Sequence, residues 1–71
     1  MQYLVIVEKG QSGFGAYVPD LPGCVAAASS RKEVVRLIHE AIELHVEDLR
    51  ERGEPVPRPA STVELVDVAA A

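Results

Sequence analysis

The chain holds a single cysteine, Cys24, so no disulfide can form within it. That thiol sits where a small buried strand residue is expected, and it reads as a packing group rather than a reactive one. No apolar run approaches the ~20 residues that a membrane-spanning helix requires. No cationic leader precedes an apolar signal core, so residence in the cytoplasm is expected. Basic residues are also in short supply: seven Lys and Arg stand against eleven Asp and Glu, for a net charge of −4. The seven are scattered rather than gathered into a patch. Phosphate backbones are held largely by Lys and Arg, so direct nucleic-acid binding is disfavoured and a basic macromolecular partner fits better. The chain has no Cys-x-x-Cys pair, no phosphate-cradling glycine loop and no nucleophile elbow.

What is present is enough for one small domain over residues 1–71. The hydrophobic fraction of 48% is too high for a disordered segment. A domain of this length buries only about 60% of the surface its unfolded chain exposes. A marginal core with ample apolar surface favours association with further copies or with another protein.

Residues 17–28, YVPDLPGCVAAA, are the most distinctive stretch. A strand-like segment ends at Pro19, and residues 20–23 form a tight turn. Pro22 pre-sets φ at a central turn position, and Gly23 supplies the positive φ that a type II turn needs next. The β-branched run at residues 3–7 and the segment from Phe14 to Val18 flank a turn cluster, which predicts a hairpin. The predicted strands cover residues 2–8, 14–19, 24–28 and 61–67. The alanines of the third are weak strand formers.

A helix is predicted over residues 31–52, a span without Gly or Pro. Ser30 can cap it, and Glu33 can reach back to the cap nitrogen. Gly53 stands where helices commonly stop. At 100° per residue Val34, Ile38, Ala41, Ile42, His45 and Leu49 share one arc, while Arg36, Glu40, Glu43 and Glu47 lie opposite. Val35, Leu37, Leu44 and Val46 widen the arc to about half the circumference. The alternate prolines of residues 54–59, EPVPRP, exclude helix and favour an extended linker. The order is β-β-β-α-β, an α+β fold with a mostly antiparallel sheet and one covering helix, and the final crossover should be right-handed. One helix covers one sheet face. Yet strand one offers apolar residues on both faces: Tyr3, Val5 and Val7 on one, Leu4 and Ile6 on the other. A second cover is therefore expected, most simply another copy of the chain.

Candidate chemistry is sparse. His39 and His45 are six apart and cannot chelate one metal as an i, i+4 pair. His39 is expected in solvent and His45 in the apolar arc. The glycines of residues 10–15 join two strands rather than opening a helix, so they read as a hairpin loop. A metal nuclease would need carboxylates converging from several elements, whereas Glu40, Glu43 and Glu47 face away from the sheet. No catalytic, cofactor or metal residue is assigned, and an enzyme is not expected.

In order, YLVIVEK, GFGAYVPDLPGCVAAASS, HEAIELHVEDLRERG and EPVPRP resemble the N-terminal domain of HicB-type antitoxins, from HicA–HicB toxin–antitoxin pairs. The resemblance covers about residues 3–66. It implies a partial ribonuclease-H-like fold without that nuclease's carboxylates, and a HicA-like basic partner that cleaves mRNA and is sterically masked. It also implies a homodimer or a higher homo-oligomer. Full-length members often add a C-terminal DNA-binding module. About twelve residues follow Pro59 here, too few for one, so operator binding is not expected of this chain. The alternative is an orphan self-associating regulatory or ligand-binding domain. The candidate partner or subunit contacts are Tyr3, Val5, Tyr17, Asp20, Leu21, Pro22, Gly23, Glu40, Glu43 and Glu47.

Overall fold

The computed structural model describes residues 1–70. Three short strands, β1 (Ile6–Lys9), β2 (Phe14–Tyr17) and β3 (Val25–Ala28), precede one long helix, α1 (Arg31–Glu51). The strands form an antiparallel meander in the order β1-β2-β3, and α1 lies across one face. This is the expected α+β arrangement.

Register assigns each side chain to a face. Val7, Ala16 and Ala26 stand in one cross-strand row, and Lys9, Phe14 and Ala28 in another. The apolar members of both rows pack against the helix. Ile6, Tyr17 and Val25 form the alternate row, pointing away from it. The weak strand propensity of the β3 alanines is offset by position, since Ala26 and Ala28 give α1 a smooth surface to pack upon. The buried core is small: Ala16, Val18, Leu21, Cys24, Val34 and Ile38. Tyr3, Val5, Phe14, Ile42 and Val46 pack around its rim.

Both helix ends follow from local chemistry. Ser30 Oγ accepts the Glu33 backbone N–H at 3.1 Å, which satisfies one orphan donor of the first turn. The reciprocal half of the box is not made, because the Glu33 carboxylate binds the Arg36 guanidinium instead. At the other end Gly53 adopts φ +71°. Its N–H donates to the Arg50 carbonyl, and that of Glu54 donates to the Leu49 carbonyl at 2.9 Å. These two bonds are the Schellman pattern.

Three boundaries differ from expectation. The first strand pairs only from Ile6, although Tyr3 and Val5 keep the alternation and pack on the core. Continuing the register would set Leu4 against Pro19, which has no N–H to give a ladder. The second strand likewise stops at Tyr17, and the chain turns at once. The fourth strand, expected over 61–67, does not form, and with it goes the crossover. Among the described residues, 62–70 make no hydrogen bond with the remainder of the chain. A lone strand without a neighbour has nothing to hold it.

Candidate partner-binding surfaces

The turn singled out in the sequence is built from two successive i→i+3 bonds. Leu21 N–H donates to the Val18 carbonyl, and Cys24 N–H to the Leu21 carbonyl, each at 3.1 Å. Pro22 and Gly23 are the central pair of the second turn, with Gly23 at φ +84°. Leu21 is completely buried. It therefore anchors the turn to the core and presents nothing to a partner, whereas Pro22 and Gly23 are exposed.

Asp20 has a different task. Its carboxylate accepts the Ala60 N–H, the Ser61 N–H and the Ser61 hydroxyl, all at 2.9 Å. Those bonds, led by the one from the Ser61 backbone, hold its carboxyl below the usual carboxylate range. Nearby, the Tyr3 hydroxyl donates to the Pro57 carbonyl. Two residues expected to meet a partner thus fasten the proline-rich linker to one end of the sheet. Val5 packs inward.

The remaining candidates divide between opposite sides of the two layers. On the uncovered sheet face Tyr17 is 41% and Val25 65% exposed, beside Ile6 in the same row. On α1 Glu40, Glu43 and Glu47 are exposed. Glu40 pairs with Arg36 at 3.0 Å, and Glu43 lies 3.2 Å from His39. Leu44 sits among these carboxylates and is 67% exposed. Periodicity placed Leu44 only at the flank of the apolar arc. Its i,i+4 spacing from Glu40 and i,i+3 spacing to Glu47 is the signal that could have set it apart.

The helix charges are segregated along its length. The first two turns hold Arg31, Lys32 and Arg36 against Glu33. From Glu40 onward Glu40, Glu43, Glu47, Asp48 and Glu51 stand against Arg50. Acidic groups in the last turn, here Asp48 and Glu51, oppose the macrodipole, and Asp48 is met by Arg52 at 3.0 Å. Tyr3, Ile42, Glu43, Val46, Glu47 and Arg50 line an open groove between the N-terminal segment and α1. Among the described residues no three His, Cys, Asp or Glu side chains gather to hold a metal ion, and no helix is long and apolar enough to cross a membrane. Cys24 is buried, and that burial pushes its thiol pKa up.

A family profile described as a HicB-like antitoxin of bacterial toxin-antitoxin systems matches residues 3–70. A UPF0150 protein of Thermoplasma acidophilum is 39% identical over 59 residues, spanning 82% of this chain and 86% of that protein. An uncharacterized 14.9 kDa protein of Haemophilus phage HP1 is 36% identical over 58 residues, 82% of this chain but 44% of its own length. Among solved structures, a chain of a HicA3 and HicB3 toxin-antitoxin complex superposes with a TM-score of 0.72 at 32% identity, covering 84% of this chain and 70% of that one.

Proposed function

The chain belongs to the HicB-like antitoxins of bacterial toxin–antitoxin systems, and from that premise we propose that it binds and sterically masks a HicA-like, mRNA-cleaving toxin in the cytoplasm. It does so without catalysis of its own. The observation that carries this reading is the exposed surface of α1, where Leu44 stands four residues after Glu40 and three before Glu47, with Glu43 and Glu47 continuing into the groove beside Tyr3. An apolar centre with a charged rim is the common anatomy of a protein interface. The acidic rim suits a basic toxin, because complementary potentials speed encounter and exclude wrong partners. A likeness to one chain of a HicA3 and HicB3 complex supports the same kind of partner.

Masking requires only a stable complex over the toxin's cleft. The neighbouring reading frame should encode a small basic protein, and the test is co-expression of that product with this chain. The expected result is restored growth and a co-purifying complex. The triple charge reversal Glu40→Lys, Glu43→Lys and Glu47→Lys should abolish both, while Tyr17→Ala on the opposite face should leave them intact. Failure of the wild-type chain to rescue growth or to bind that neighbour would refute the reading and favour an orphan domain.

A further inference from the structure

The groove between the N-terminal segment and α1 holds about 680 Å³, within the roughly 300–1,000 Å³ of clefts that take a ligand. Its floor is apolar. Ile42 and Val46, one helical turn apart and half-buried, line it and pack on the core. Tyr3 lines the other side, and its hydroxyl donates to the Pro57 carbonyl. The ring is thereby tethered at its far end, so this wall is in place before anything enters.

Two exposed carboxylates stand over that floor. Glu43 and Glu47 are also one turn apart, which sets their Cβ atoms about 5–6 Å from each other. Other acids of α1 already have cations: Glu33 and Glu40 share Arg36, and Asp48 takes Arg52. Glu43 meets only the His39 imidazole, at 3.2 Å. Among the described residues Glu47 makes no ion pair, although Arg50 lines the same groove three residues on.

Taking the chain as an antitoxin, we infer that this groove seats one arginine of the partner together with an aliphatic neighbour. The guanidinium bridges Glu43 and Glu47 beside the Tyr3 ring, and the aliphatic group lies on Ile42 and Val46. Three features select that occupant. An arginine stem runs along apolar surface while its head stays among polar groups, which suits carboxylates above an aliphatic floor. A guanidinium presents five donors in a flat fork and stacks on aromatic rings, so it can serve two acceptors a turn apart. An ammonium is a compact point charge and serves them less well. The remaining lining limits the number. The Arg50 guanidinium and the Met1 amino group balance the two carboxylates in sum, so a polybasic run is repelled where a single cation between Glu43 and Glu47 is held.

The test uses short peptides and no toxin, so its failure is distinguishable from that of the antitoxin reading. A chain that rescues growth without preferring arginine keeps the reading and loses this seat. In an NMR titration of the isotope-labelled full chain, acetyl-Leu-Arg-amide should shift the amides of residues 43–47 and of Tyr3 saturably. Acetyl-Leu-Lys-amide should bind more weakly. Acetyl-Leu-citrulline-amide, which keeps the shape without the charge, should bind about tenfold more weakly than the arginine peptide. Glu43→Gln combined with Glu47→Gln keeps size and exposure, and it should erase the preference for arginine over citrulline. Glu51→Gln, on the same helix but outside the groove, should retain it. Tyr3→Leu should narrow the gap between arginine and lysine. Equal binding of the three peptides, or shifts confined to another surface, would overturn the proposal. So would the absence of any saturable shift, or a preference that survives the double glutamine variant.

Discussion

Replacing Leu21 by Ala tests whether the turn that identifies this chain is a surface feature or part of its core. Leu21 has no exposed surface, and it lies in the cluster of Val18, Cys24, Val34 and Ile38. Truncation removes three buried carbons and leaves a cavity that the turn cannot close, because its backbone is pinned by bonds on both sides of Leu21. Such substitutions cost about 2–5 kcal/mol. At roughly 0.05–0.15 kcal/mol per residue the whole domain holds only about 4–10 kcal/mol, so the loss is a large fraction of the total. For a chain of this size about 3 kcal/mol corresponds to a fall in Tm of roughly 12–24 °C. Thermal melts followed by far-UV circular dichroism, on wild type and variant at one matched concentration, measure it directly. Leu44→Ala serves as the control, since Leu44 is 67% exposed and surface truncations stay within about 0.5 kcal/mol. A Leu21→Ala Tm within about 4 °C of wild type would refute the placement of this side chain in the core.

Gly13→Ala should destabilise by about 1–3 kcal/mol in a urea titration, because its Cβ would lie 2.6 Å from the Ala28 carbonyl oxygen, while the matched Gly15→Ala, with 3.9 Å to the nearest atom, should be milder. Cys24, buried and with its pKa raised, should react with a thiol reagent at neutral pH far more slowly in the native protein than in denaturant; equal rates would place it at the surface. The Asp20 carboxyl is depressed by its bonds from Ser61 and Ala60, so its hold on the linker is complete above the ordinary carboxyl value of about 3.9 and is lost as pH falls through the lower folded value. The Ala60 and Ser61 amide shifts in NMR spectra should therefore keep their native positions at neutral pH and lose them only below that point, whereas Asp20→Ala should lose them at every pH.

The helix and the turn were legible because each is specified by neighbours in sequence. Ser30 caps, Gly53 terminates, and the apolar arc needs only 3.6-residue spacing. Pro22 and Gly23 dictate their turn alone. What sequence could not supply was the meaning of alternation in residues 61–67. Alternating side chains say that a segment is suited to a sheet, but not whose sheet. The roles of Asp20 and Tyr3 were hidden for a related reason, since their partners lie about 40 and 54 residues away and nothing local marks them. By sequence Leu21 reads as a surface candidate because turns ordinarily run outside; here a tight turn between two strands carries its one large apolar side chain inward.

The placement of the carboxylates ties the acidic part of α1 to the margin of the sheet. Glu40 pairs with Arg36 and stands four residues before exposed Leu44, whereas Glu43 and Glu47 line the groove that α1 forms with the segment leading into β1. A partner that reaches Glu43 and Glu47 therefore also meets Met1, Gln2 and Tyr3. Tyr3 is held by its bond to the Pro57 carbonyl, and Asp20 holds residues 60 and 61. The proline-rich linker thus fixes one wall of that groove, and its two anchors act on the surface as well as on the fold.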